Sequence, residues 1–124
     1  MTVKDFYAML FGAFDQYEFD RYLGESLSYK EAGEKLLERR IAAYMVHTYL
    51  TEVMREADEP SIEPAFVLKD IYECPSCIRH IAQVYLKGIM PGRNQLFGVK
   101  DPVEEKEACE IVARVRDRSK RSWA

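Results

Sequence analysis

The chain has 124 residues, the size of one domain with one modest core. Its hydrophobic fraction of 48% and its aromatic fraction of 12% exclude an intrinsically disordered chain. The formal net charge of −3 argues against a dedicated nucleic-acid binder, which would present a strongly basic face. The basic residues between Arg114 and Arg121 are typical of a final helical turn followed by a solvated tail.

The sequence also lacks the usual membrane and export signals. No apolar run approaches the roughly 20 residues that a membrane-spanning helix needs, so we expect no membrane insertion. Residues Met1 to Asp5 lack the charged region and continuous apolar run of a secretory signal. We therefore expect a cytoplasmic protein, unless a leader or a larger parent chain has been removed. The three cysteines, an odd number, do not make a disulfide framework.

The amino-terminal segment predicts one amphipathic helix over roughly residues 3–22, which Gly24 ends. Its apolar residues have the spacing of a single buried stripe: Phe6, Met9, Leu10, Ala13, Phe14 and Tyr17. Ser28 and Glu31 have the spacing of a capping box and predict the start of the next helical stretch. A second apolar stripe then predicts a long helix that runs to about Glu56.

The carboxyl-terminal half predicts two more helices. Pro75 suits the first turn of a third helix that ends at Gly88, and a loop follows over residues 90–100. Asp101 can cap a fourth helix, with Pro102 at its first position. Strand signals are almost absent, and the short apolar run at 66–68 is the one stretch that could be extended.

These elements predict an all-α domain of four main helices, arranged as two helix–loop–helix units. Superposing residues 42–46 on residues 108–112 aligns their apolar positions, as an internal repeat would. We expect residues 1–58 to form the first unit and residues 66–118 the second. Residues 59–65 contain proline and acidic residues that break helices, so they predict a linker.

The stretch from Phe66 to Arg116 resembles a repeat of the S-layer homology (SLH) family. Repeats of that family begin near an Asp-Val-like pair, and their first helix ends in Lys-Gly-Ile-Val. A glycine-bearing loop with phenylalanine follows, and a second helix opens near Asp-Pro-Val-Thr-Arg-x-Glu-Ala. The matching residues in this chain are Asp70-Ile71, Lys87-Gly88-Ile89-Met90, Gly92, Phe97 and Asp101-Pro102-Val103-Glu104-Glu105-Lys106-Glu107-Ala108. Residues 1–58 resemble only a decayed first repeat.

The resemblance implies a binding module without catalytic activity or a cofactor. SLH domains commonly use three repeats to anchor bacterial surface proteins to cell-wall polysaccharide, whereas this chain has at most two. The Thr-Arg pair at the mouth of the family's groove is Glu104-Glu105 here, and the arginine is retained only as Arg39 in the first repeat. Carboxylates at that position would repel an anionic polysaccharide.

The ligand-binding residues that the resemblance implies are Arg39, Arg40 and Glu107. The partner would be a cell-envelope glycan or a protein, and a second copy of the chain is one candidate. A helical protein–protein interaction domain inside the cell remains an alternative function.

The motif Cys74-Pro75-Ser76-Cys77 favours a different alternative, a thiol-redox protein. Such a motif at a helix start resembles glutaredoxins and thioredoxins. The helix amino end stabilises a thiolate at the first cysteine, and the second cysteine resolves the mixed disulfide. The rest of the chain does not support this alternative, because residues 90–124 predict a loop and a helix where that fold requires further strands and a cis-proline.

The remaining candidate metal ligands and catalytic bases lack partners at the required spacing. A zinc site built from Cys74, Cys77, His80 and Cys109 lacks a second close pair, so we expect no metal and interpret Cys77 and Cys109 as small core residues. His47 and His80 have no carboxylate at the spacing of a catalytic triad. We therefore interpret both histidines as surface or half-buried residues.

Overall fold

The computed structural model of the chain describes residues 1–24 and 33–122. This part of the chain forms five α-helices and contains no sheet, so the prediction of an all-α domain is confirmed. The helices are α1 (Val3–Phe11), α2 (Gln16–Leu23), α3 (Arg39–Glu52), α4 (Ile78–Leu86) and α5 (Glu105–Arg116). Short 3₁₀ turns cover Glu63–Val67, Ile71–Glu73, Pro75–Cys77 and Arg118–Lys120.

The predicted first helix over residues 3–22 is two helices, which accounts for five helices in place of four. Gly12 ends α1 in the left-handed conformation, with φ of 95°. Asp15 then caps α2 by accepting a hydrogen bond from the Glu18 backbone N–H. The turn between the helices lets the Tyr7 ring pack against the rings of Phe14 and Phe19. A capping glycine and a capping aspartate therefore outweigh a continuous apolar stripe.

Two other predicted helix boundaries are also wrong. Helix α3 ends at Glu52 and not near Glu56. In the short run that could be extended, Phe66 and Val67 lie in the turn Glu63–Val67, and Leu68 after it has an extended backbone. Helix α5 begins at Glu105 and not at Pro102, because Pro102 forms an extended pairing with Glu38 and the Val103 N–H donates a hydrogen bond to the Leu37 carbonyl. The predicted capping box of Ser28 and Glu31 lies outside the described residues.

Helix α3 is the centre of the packing. It lies against α1, α2 and α4, and α1 also contacts α5. The core contains side chains from each of these elements, among them Phe6, Leu10, Phe19, Val46, Leu50, Ile81, Val84, Ile111 and Val115. The burial of these apolar side chains is the main source of stability for such a bundle.

The segment predicted as a linker, residues 59–65, is packed against α4. The Gln83 side chain pairs with the backbone of Glu59 in both directions, at 2.8 Å and 3.1 Å. Ala65 is buried in the core. The two halves of the described chain are therefore joined by a fixed connection and share one core.

Candidate functional site

A polar cleft lies where the amino ends of α3 and α5 face the loop of residues 91–102. It has a volume of about 580 Å³ and is called the Arg39 cleft here. Its lining residues are Arg39, Asp70, Glu73, Arg93, Asn94, Leu96, Phe97, Gly98, Val99, Lys100, Asp101, Pro102 and Glu107.

Arg39, the first residue of α3, fixes the loop from the inside. Its side chain is almost fully buried and donates from Nε to the Phe97 carbonyl at 2.8 Å and from Nη2 to the Pro91 carbonyl at 2.8 Å. Nη1 forms an ion pair with Glu107, and the guanidinium stacks over the Phe97 ring at 4.6 Å. Burial lowers the pKa of Arg39, which the Glu107 carboxylate opposes, and the guanidinium stays charged. Every guanidinium nitrogen therefore has a partner.

Asp70 fixes the same loop from the other side. Its buried carboxylate accepts hydrogen bonds from the backbone N–H groups of Phe97, Gly98 and Val99 at 2.7, 2.8 and 3.2 Å. Burial alone would raise the pKa of Asp70, but these backbone hydrogen bonds outweigh it and hold the pKa below its usual value. Asp70 and Arg39 thus make the cleft rigid before any ligand binds.

The outer wall of the Arg39 cleft carries exposed charges of both signs. Arg93 and Lys100 are positive, and Glu73 and Asp101 are negative. Because Asp70 and Glu107 are engaged inside, these four side chains dominate the charge that a ligand meets. The wall therefore has no strong excess of either sign.

An exposed aromatic pair lies beside this cleft. The rings of Phe66 and Tyr72 stack with centroids 5.8 Å apart, and Tyr72 is 64% exposed. Tyr72 precedes Glu73, which lines the cleft, and Leu96 of the cleft is itself 46% exposed. Exposed apolar surface at the rim of a polar cleft often marks a binding site.

The structure brings two of the three residues implied by the SLH resemblance into this cleft. Arg39 and Glu107 line it and pair with each other, although 68 positions separate them in the sequence. Arg40 is not among the lining residues, and its Nε pairs with the Glu38 carboxylate at 2.7 Å.

The cysteines are arranged differently from the interpretation of the sequence. Cys74 and Cys77 are joined by a disulfide around the turn Pro75–Cys77, and both are nearly buried. Cys109 is exposed on α5, so its assignment to the core is wrong. The described residues contain no group of three or more His, Cys, Asp or Glu side chains able to hold a metal, so Cys74, Cys77, His80 and Cys109 do not assemble a zinc site.

The interpretation of the histidines missed a series of hydrogen-bonded side chains, Asp58, His47 and His80, which is called the buried polar chain here. His47 is buried, and its Nε2 lies 2.7 Å from Oδ1 of Asp58. Its Nδ1 lies 2.8 Å from Nδ1 of His80. Asp58 also accepts a hydrogen bond from Arg79 at 3.0 Å. No local spacing connects His47 with residues 11 and 33 positions away, so helical periodicity could not reveal the chain.

Comparison with protein-family models, curated proteins and solved structures finds no match for this chain. No helix among the residues that the structure describes is both long and apolar enough to span a membrane.

Proposed function

We propose that the protein is an SLH-like binding module whose Arg39 cleft recognises a cell-envelope glycan. The observation that supports this proposal is the rigid loop of residues 91–102, held by Arg39 and Asp70. A preformed cleft with a few converging polar groups binds its ligand without ordering the loop at the same time.

The chemistry of the cleft suits a sugar better than a strongly charged ligand. Arg93 and Lys100 offer hydrogen-bond donors, while Glu73 and Asp101 offer acceptors. Sugar hydroxyls can pair with both kinds of group, whereas a polyanion would meet two carboxylates. The exposed ring of Tyr72 offers an apolar surface beside the cleft, against which a sugar ring can lie.

The Arg39 cleft has a binding character and not a catalytic one. Asp70 is engaged by three backbone N–H groups, and Glu107 is engaged by Arg39. General acid–base catalysis needs a titratable group that converges on the substrate and is free to exchange a proton. Within this cleft, both inner carboxylates hold the loop instead.

Binding to an insoluble bacterial cell-wall preparation tests the proposal. We expect retention of the wild type, weaker retention of Asp101→Asn and Arg93→Ala, and unchanged retention of Arg40→Ala. Arg93 lines the cleft and Arg40 does not, so the two arginine variants form a matched pair. Retention should also survive high salt, because the ligand is bound mainly by hydrogen bonds. Absence of wild-type retention, or equal losses in both arginine variants, would contradict the proposal.

A protein partner is the alternative occupant of the same site. The apolar side chains of Phe66, Val67 and Leu96 are all at least 40% exposed, which favours a contact with another chain. A purified lysate protein that binds the wild type and not Tyr72→Ser, in the absence of cell-wall retention, would favour this alternative.

A thiol-redox activity is the second candidate function, and the Cys74–Cys77 disulfide is the observation that favours it. We expect no useful rate of reduction of a glutathione mixed disulfide. Turnover that is abolished in Cys74→Ser would establish this second function instead.

A further inference from the structure

The buried polar chain of Asp58, His47 and His80 opens into a second cleft between α2, α3 and α4. This cleft has a volume of about 520 Å³ and is called the Tyr44 cleft here. Its lining residues are Arg21, Tyr22, Tyr44, His47, Thr48, Thr51, Glu52, Arg79 and His80. The ring of Tyr44 packs against the ring of His80 at 4.8 Å and limits its rotation.

Among the ring nitrogens of His47 and His80, only Nε2 of His80 is open to a ligand. His47 uses both ring nitrogens, one with Asp58 and one with His80. Nε2 of His80 has no hydrogen-bond partner among the described residues. Since none of their buried side-chain nitrogens or oxygens lacks a partner, Nε2 must be reached by solvent in the cleft.

The positions of the protons follow from the two short contacts. His47 donates its Nε2–H to the Asp58 carboxylate, so a neutral His47 ring accepts at Nδ1. His80 must then donate its Nδ1–H across the 2.8 Å contact, which leaves a lone pair on its Nε2. This arrangement is a base held in place by a second imidazole, which is itself held by a carboxylate.

We propose that Nε2 of His80 is the general base of a second site, which hydrolyses carboxylic esters that carry a negative charge. His80 is the catalytic residue, and His47 and Asp58 are positioning residues that act through it. This activity is independent of glycan binding in the Arg39 cleft.

The charges around the cleft define the substrate class. Arg21 and Arg79 are exposed cations at its edge, and Glu52 is the single carboxylate among the described residues that line it. Arg79 is paired with Asp58, so Arg21 is the cation most available to an anionic substrate. The rings of Tyr22 and Tyr44 provide apolar walls for the remainder of the molecule.

The reaction consumes water and regenerates the base. Nε2 of His80 takes a proton from water as the water oxygen bonds to the ester carbonyl carbon. The Nδ1 proton of His80 moves to Nδ1 of His47, where the Asp58 carboxylate lies beside the new positive charge. When the C–O bond to the alcohol breaks, both protons move back and the leaving oxygen takes the proton from His80. The products are the carboxylic acid and the alcohol.

The electrostatic setting keeps the base available near neutral pH. Burial, followed by repulsion from His47 and Arg79, lowers the pKa of His80 to about 4. A base of that pKa would be weak alone, because the best catalytic pKa lies near the working pH. The proposed transfer places the positive charge on His47, whose Nε2 lies 2.7 Å from the Asp58 carboxylate.

Hydrolysis of 4-nitrophenyl hemisuccinate, an anionic ester, tests the proposal directly. We expect His80→Gln to lower kcat/KM about 100-fold, in line with the usual contribution of a general base. His47→Gln and Asp58→Asn should give smaller losses and shift the pH profile of kcat/KM. Tyr17→Phe is the surface control, since Tyr17 is 80% exposed, and it should keep the wild-type rate. Equal rates for the wild type and a folded His80→Gln variant would overturn the proposal.

Arg21→Gln tests the substrate class separately from the base. We expect it to raise KM for the hemisuccinate ester while kcat is retained, and to leave hydrolysis of the neutral 4-nitrophenyl acetate unchanged. An unchanged KM for the anionic ester would remove Arg21 and the charge preference from the proposal.

Nitrogen NMR of the wild type requires no variant and therefore does not depend on variant folding. The Nδ1-protonated tautomer of His80 is expected at neutral pH, with a coupling across the contact to His47. A proton on Nε2 of His80 at neutral pH would leave no base in the cleft and would overturn the proposal.

Discussion

The two clefts use buried polar groups in opposite ways. In the Arg39 cleft, the charged side chains of Arg39 and Asp70 bond to backbone atoms of one loop, so their role is to fix its shape. In the Tyr44 cleft, Asp58, His47 and His80 bond to one another, so a proton can pass along them. Charged groups that are hydrogen-bonded to the backbone make a loop rigid, whereas titratable groups that are hydrogen-bonded in series allow a proton to move between them.

The largest effect is expected where a charge that holds the backbone is removed. Arg39→Ala leaves Glu107 without its partner and the Phe97 and Pro91 carbonyls without a side-chain donor. We expect a loss of about 3–5 kcal/mol in the free energy of unfolding, as for other broken buried pairs. Urea denaturation measures it.

Arg40→Ala is the matched control for that experiment. Arg40 follows Arg39 in the sequence, but its pair with Glu38 is about one-third exposed on each side. Exposed pairs contribute roughly 0–1 kcal/mol, so the variant should unfold close to the wild type. Similar losses in both variants would mean that the buried contacts of Arg39 do not hold the fold.

This contrast also separates what the sequence could predict from what it could not. The resemblance pointed to Arg39 and Glu107 from local motifs, and both lie in one cleft. Their pairing joins residues 68 positions apart and depends on how α3 and α5 start side by side. No pattern within either helix contains that information.

The amino-terminal helices show the other kind of error. The signals for the break, Gly12 and Asp15, are present in the sequence, but the apolar stripe that runs past them favours a single helix. His47 and Asp58 had no such signal, because Asp58 reaches His47 through an irregular segment after α3. Irregular backbone has no period from which side-chain directions could be read.

A smaller effect is expected at the disulfide between Cys74 and Cys77. Cys74 and Cys77 are separated by three positions, so their bond closes a short loop and restricts the unfolded chain only slightly. Loop-closure entropy for such a loop is worth about 2 kcal/mol. We expect Cys74→Ser to lose no more than this and to stay folded, with unchanged cell-wall retention. Calorimetry on oxidised wild type, reduced wild type and the variant checks the expectation, and loss of the fold would contradict it.

The last effect concerns one proton on His80, and its sign follows from linkage. Because the folded protein lowers the pKa of His80 from 6.5 to about 4, the unfolded chain binds this proton more readily. The contribution of His80 to stability is therefore complete above pH 6.5 and is lost as the pH falls toward 4. The carboxylates with lowered pKa values, Glu56, Asp58, Asp70 and Asp117, lose their contributions mainly at still lower pH. The interval between pH 6.5 and 4 thus reports chiefly on His80. We expect the melting temperature to fall across this interval, and His80→Gln to flatten the decline without changing the acid limb below it. If the melting temperature of the variant falls with the same slope, His80 is protonated equally in the folded and unfolded states. The contacts around His80 would then not keep it neutral.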